Sequence, residues 1–281
     1  MNAADEVFVT DFYNGRVQKF NPDGKLLAVI EVLPSCGGIA IGRNGHLYLS
    51  HFPRGRARKE GKADRITVYE QSGKFLKGWG KSGTGDGELS YPGGLAAAAD
   101  GRLYVAEQAN RRVQVFDAEG KFLTKWGEYG VKPGQFGGNV SRATFGGGPE
   151  FVALDSRGHV YTTEAALGRV QKFTADGKFL LAWGDNEEKP GSFGGVFSGQ
   201  KGRIEKGPVG ICVDRHDRVW VGAVSGRIQQ FTKDGTYLRG FGEQGTKPGQ
   251  FYAPHGIALD SHGHLYVVDA YNHRIQRFAV E

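Results

Sequence analysis

One unit, repeated six times with its turns intact, constrains this chain more than any other feature. Its last copy reads Pro254-His255-Gly256-Ile257-Ala258-Leu259-Asp260, then Gly263-His264-Leu265-Tyr266-Val267-Val268-Asp269, then Asn272-His273-Arg274-Ile275-Gln276-Arg277-Phe278. Earlier copies add a fourth piece, as in Gly120-Lys121-Phe122-Leu123-Thr124-Lys125-Trp126-Gly127. The four pieces, here a, b, c and d, are short runs of β-branched and aromatic residues between Gly and Asp clusters, which is the pattern of strands. Strand b is anchored by Phe8, Tyr48, Tyr104, Tyr161, Trp220 and Tyr266, and strand c by Val17, Ile66, Val113, Val170, Ile228 and Ile275, at spacings of 40 to 59 residues. A four-strand unit of this size cannot cover its own apolar faces, so successive units must cover one another. Six of them in series argue for an all-β, radial arrangement, a six-bladed β-propeller.

The repeat also explains the composition. Glycine supplies 46 of 281 residues, more than twice the usual share. Much of the excess lies in the c–d links Asp23-Gly24, Ser72-Gly73, Glu119-Gly120, Asp176-Gly177 and Asp234-Gly235, which are hairpin turns. No eighteen-residue apolar run is present, so no membrane-spanning helix is expected. With 39% hydrophobic and 12% aromatic residues, the chain is too apolar for disorder. Cys36 and Cys212 fall in strand a of copies two and five, on opposite sides of a six-membered ring, too far apart for a disulfide, so two free thiols are expected. Residues 1–281 read as a single domain.

Gly-Ile-Ala, Tyr-Val-x-Asp, Asn-x-Arg-Ile-Gln-x-Phe and Gly-x-Phe-Leu-x-x-Trp-Gly recur in this order over nearly the whole chain, and together they resemble NHL repeats. The resemblance implies a six-bladed propeller with strand a innermost. The first copy starts at Val7-Phe8-Val9 without strand a, and the last reaches Glu281 without strand d. Either the chain is trimmed from a longer protein or its closing blades are short. The expectation is 22 strands, with three each in blades 1 and 6, and a ring closed by packing. Residues 1–6 carry no secretory signal as they stand, whereas the resemblance to bacterial NHL chains implies a location outside the cytoplasm.

In such a meander the a–b and c–d turns share one face, and the b–c loops and d-to-a crossovers share the other. The long segments 52–64, 137–148 and 194–207 are all of the second kind. They hold net charges of +3, +1 and +2, the whole of the protein's +6. A loop-rich basic face is therefore expected, with Arg54, Arg56, Arg58, Arg142, Lys201, Arg203 and Lys206 as its rim, suited to an anionic small ligand or a protein partner. The resemblance to NHL propellers that bind single-stranded RNA keeps nucleic acid as an alternative. Against it, only Phe52 neighbours the run of arginines from Arg54 to Arg58, and base stacking needs aromatic platforms.

Strand b ends in an acid at Asp11, Glu107, Glu164 and Asp269, and strand c opens with Arg16, Arg112, Arg169 and Arg274. This recurrence predicts structural carboxylate–arginine pairs with bidentate geometry. His46, His159 and His264 share one turn slot and read as structural, whereas His51 and His255 stand off the pattern on the loop-rich face. Pro254-His255-Gly256-Ile257 resembles the metal-binding element of peptidyl-hydroxyglycine amidating lyases. That resemblance implies a divalent metal in the central channel with His255 as ligand. It also implies catalytic candidates in His255, Tyr13 and Tyr271, with Glu150, which holds the corresponding place in blade 4, as a further candidate. One such Pro-His element is present, and a zinc site takes three or more protein ligands. The chain has no phosphate loop and no Gly-x-Ser-x-Gly elbow, so enzyme and binding module both stay open.

Overall fold

The computed structural model describes residues 1–53, 63–137, 147–187, 189–194, 197–198, 203–204 and 207–280, with backbone only at 197–198 and 203–204. Blade 1 comprises Val7–Asp11, Arg16–Phe20 and Leu26–Glu31. Blade 2 comprises Cys36–Ile41, Leu47–His51, Arg65–Tyr69 and Phe75–Trp79. Blade 3 comprises Pro92–Ala97, Leu103–Glu107, Arg112–Phe116 and Phe122–Trp126. Blade 4 comprises Val152–Leu154, Val160–Glu164, Arg169–Phe173 and Phe179–Trp183. Blade 5 comprises Pro208–Val213, Val219–Ala223, Arg227–Phe231 and Tyr237–Phe241, and blade 6 comprises Pro254–Leu259, His264–Asp269 and Arg274–Ala279. The middle four sheets have four strands in the order a-b-c-d, and the first and last have three. All pairings within blades are antiparallel, as hairpin connections require. The 22 blade strands and the two short blades match the sequence reading.

The core lies between blades rather than within them. Val17 and Ile30 of blade 1 meet Leu47 and Tyr69 of blade 2. Ile66 meets Val105 and Phe116 of blade 3, and Tyr104 meets Val160 and Phe173 of blade 4. Val170 meets Val221 and Phe231 of blade 5, and Trp220 meets Leu265 and Val267 of blade 6. Each fully buried ring or branched side chain contributes about 1.5–3 kcal/mol. The strand-d tryptophans extend these junctions. Trp79, Trp126 and Trp183 lie on the turn glycines Gly120, Gly177 and Gly235 of the following blade, where an added Cβ would come within 2.4–2.8 Å of the ring. Those glycines also hold φ of 83–88°, so hairpin and ring seat both require them.

Among the described residues, no buried apolar cluster joins blade 6 to blade 1. The ring closes there through polar links that repeat those of other junctions. Tyr266 donates its hydroxyl to the Pro22 carbonyl at 3.2 Å, as Tyr161 does to Lys233. Ser261 donates to Asp5, as Ser156 does to Asp217. Arg277 adds a hydrogen bond to the Pro22 carbonyl and an ion pair with Asp23 across the same junction.

Candidate functional site

The loop face is built on the acid–arginine pairs. Strand pairing places Asp11, Glu107, Glu164 and Asp269 opposite Arg16, Arg112, Arg169 and Arg274. Each arginine donates Nε to the carboxylate, at 2.8, 2.6, 2.7 and 2.8 Å. The expected bidentate geometry is not adopted: each pair is made through Nε, and in Arg112, Arg169 and Arg274 the remaining guanidinium nitrogens serve the preceding crossover. Arg112 donates to the carbonyls of Thr84, Gly85 and Glu88, and Arg274 to those of Lys247 and Gln250. Strand-c glutamines add a second clamp. The Gln114 amide donates to Glu88 and accepts from the Gly87 N–H, and Gln276 treats Gln250 and Gly249 in the same way. Burial pushes the Glu107 and Glu164 carboxyls up, opposed by Arg112 and Arg169. Arg112, Arg169, Arg274 and the strand-c glutamines thereby hold the crossovers in place.

The turn histidines are structural, as their shared slot predicts. His159 and His264 bond Asp155 and Asp260 through Nδ1 at 2.9 and 2.8 Å. Burial works to raise the Asp155 carboxyl, yet the ring and N–H of His159 and the Tyr161 hydroxyl hold it below its ordinary value. His51, one of the two histidines off the pattern, is buried at the end of strand b in blade 2. Its ring nitrogens meet the Pro34 carbonyl and the Thr67 hydroxyl. Burial lowers its pKa to about 4, so it is a neutral packing residue in the slot where four blades place a carboxylate.

Around the mouth of the ring, aromatic residues gather from segments distant in sequence. Phe12 contacts Tyr13 and Phe52 at ring separations of 5.1 and 5.0 Å, and Phe52 lies 6.3 Å from Tyr91. In blade 6, next in the ring to blade 1, Tyr271 lies 5.1 Å from Tyr252 and 6.4 Å from His255. Tyr13 is 85% exposed and Tyr271 49%, and both occupy the turn after strand b. Tyr91 and Ala253 enter strand a with φ of 51° and 57°, a left-handed turn that brings the chain in toward the axis. The sequence reading named Tyr13, Tyr271 and His255 but missed Phe12, Tyr91 and Tyr252. Their signal was position: each borders a strand at its loop-face end.

Glu150 also lies on this face, 1% exposed, and accepts a 2.7 Å hydrogen bond from the Gln108 amide. It leads into blade 4, whereas His255 and Tyr271 meet in blade 6. The rim residues Arg54, Arg56, Arg58, Arg142, Lys201 and Lys206, and the side chain of Arg203, lie outside the described residues. Among the described residues no group of three or more His, Cys, Asp or Glu side chains could hold a metal ion. Among the described residues no helix is long and apolar enough to cross a membrane. Both cysteines are free, with Cys36 buried.

The NHL repeat family model matches residues 89–116 and 251–278, which run from the crossover through strand c in blades 3 and 6. Over 140 residues the chain is 33% identical to peptidyl-glycine alpha-amidating monooxygenase of Mus musculus, covering 47% of this chain and 14% of that protein. It is 28% identical over 175 residues to NHL repeat-containing protein 3 of Homo sapiens, covering 45% and 50%. The chain therefore spans half or less of these relatives. Virginiamycin B lyase from Staphylococcus aureus shares the fold, with a TM-score of 0.60 at 17% identity over 100% of this chain and 83% of that one.

Proposed function

We propose that this NHL-repeat propeller is a binding module that holds an anionic small ligand or an acidic protein segment over the mouth of its ring. The observation that carries the reading is the aromatic arc, in which Tyr13 and Tyr271 stand exposed beside packed rings from blades 1, 2, 3 and 6. Exposed tyrosines on a rigid base offer apolar contact and a hydroxyl at small entropic cost. The segments that leave the fold on the same face carry Arg54, Arg56, Arg58, Arg142, Lys201, Arg203 and Lys206 in the sequence. A cationic surround would draw an anion toward the rings.

The test is titration of the protein with a fluorescent acidic peptide and with heparin oligosaccharide at two salt concentrations. Binding should weaken with salt, fall at least tenfold in the Arg54→Ala, Arg56→Ala, Arg58→Ala triple variant, and fall again in Tyr13→Ala with Tyr271→Ala. Binding indifferent to all five substitutions overturns the reading. Tighter binding of single-stranded RNA than of either probe selects the nucleic-acid alternative.

A second reading has one observation in its favour. His255 and Tyr271 meet at the mouth, in a chain with 33% identity to part of an amidating enzyme. On this reading the mouth is a metal-dependent lyase or hydrolase site with His255 as a ligand. Elemental analysis separates the two. A stoichiometric metal lost in His255→Ala supports the enzyme, and its absence from protein purified without chelator removes it.

A further inference from the structure

Strand d of blade 1 departs from the repeat in a way that its packing against blade 2 does not use. After the residue that closes strand d, blades 2 to 5 place Gly80, Gly127, Gly184 and Gly242, all in the left-handed region at φ of 87–100°. Blade 1 has Glu31 there and stays in the strand through it. One place before the closing residue those blades have Gly78, Lys125, Ala182 and Gly240, and blade 1 has Val29. The run from Leu26 to Leu33 is thereby apolar at every position except Glu31. Ile30 points into the junction with blade 2, packed with Val17, Leu47 and Tyr69, and Val32 lies against the same cluster. Leu27, Val29 and Leu33 alternate with them and are 45, 43 and 39% exposed, with Glu31 exposed in the same stripe.

A strand that is apolar on both faces is the pattern of one covered on both. A neighbouring blade does not provide that cover. In blade 3, Leu123 and Lys125 hold the places of Leu27 and Val29 beside a blade 2 that has all four strands, and both are exposed. The two ends of the run carry opposite charges, Lys25 before it and Glu31 toward its far end. Among the described residues neither side chain has an ion-pair partner. A second copy of the strand, turned antiparallel about a two-fold axis at Ala28, sets Leu27 against Val29 and Lys25 against Glu31 at both ends. Blades 2 to 5 are not self-complementary in this way, because each has glycine in the place of Glu31. The bulge at Leu27, repeated in the strand d of blades 2 to 5, breaks a continuous main-chain ladder. Side chains therefore carry the contact.

We propose that strand d of blade 1 is a self-association surface, through which two copies of this propeller pack perimeter to perimeter about a two-fold axis at Ala28. One strand per copy makes a small interface, so the dimer is reversible rather than obligate.

The test is sedimentation velocity from low micromolar to millimolar protein, with each variant's fold checked by circular dichroism. Expected is a monomer–dimer equilibrium that Val29→Lys weakens at least tenfold. That variant should fold, since blade 3 carries Lys125 at the same place. Glu31→Lys should also weaken the dimer at least tenfold, and the Lys25→Glu, Glu31→Lys double variant should restore it. Within its own blade Glu31→Lys places a lysine across from Arg16, and the double variant keeps that change, so rescue reports the contact between copies. The proposal is overturned by a protein that stays monomeric at millimolar concentration, by association that Val29→Lys leaves unchanged, or by a double variant that associates no more tightly than Glu31→Lys alone. Association lost only in Tyr13→Ala with Tyr271→Ala places the interface at the mouth and overturns it too.

Discussion

The same ion pair appears at two burial depths, which makes it an internal experiment. Arg112 and Glu107 have side chains 6% and 0% exposed, whereas Arg16 and Asp11 are 37% and 25% exposed. Arg112→Ala strips the Glu107 carboxylate of its cation while Ser90, Asn110 and Gln114 still donate to it, and it removes the donor to three crossover carbonyls. Breaking one side of a buried pair costs about 3–5 kcal/mol. Among the described residues Arg16 donates to Asp11 and faces water, so Arg16→Ala should cost about 0.2–1 kcal/mol. Urea unfolding followed by tryptophan fluorescence reads both, and the two losses should differ by at least about 2 kcal/mol. Equal losses would falsify the claim that these arginines act through the crossovers.

Three more outcomes follow from named residues. His51 has a pKa near 4 folded against 6.5 ordinarily, so its stabilising effect is present above pH 6.5 and is lost as pH falls toward 4. The full loss is about 3 kcal/mol, and urea midpoints of His51→Gln should show a shallower fall across that window than the parent. His273 adopts φ 52° where blades 1, 4 and 5 use Gly15, Gly168 and Gly226, and His273→Gly should stabilise by about 0.5–1 kcal/mol, read as a raised Tm. Burial pushes the Cys36 thiol up to about 11 and raises Cys212 as well, so a thiol reagent at pH 8 should react with both only on denaturation. Rapid reaction of either in the native protein contradicts the burial.

The fold was legible because the repeat restates its local rules from blade to blade. Strand pattern, turn glycine, tryptophan and the acid–arginine slots each agree with one architecture. The mouth was only half legible. Tyr13, Tyr271 and His255 stand inside recognisable motifs, but Phe12, Phe52 and Tyr91 come together solely because left-handed turns at Ser35 and Tyr91 bring segments from three blades to one rim. Composition near Arg54 shows one aromatic residue, and the fold supplies its neighbours. His51 stands off the histidine turn pattern in the sequence, and burial and the Thr67 hydroxyl give it a packing role.

Among the described residues, five apolar junctions and one polar one make this ring behave as a line with two ends. In a repeat array, stability is the sum of unit terms and nearest-neighbour couplings, and a closed circle shares its couplings evenly. Here the coupling between the first and last blades is the weak one, so loss of structure should begin at blades 1 and 6 and move inward, with blades 3 and 4 the last to melt. A molecule whose geometry is sixfold thus has a defined direction of unfolding, and the position of its weakest joint, rather than the average strength of its blades, sets how long it survives under load.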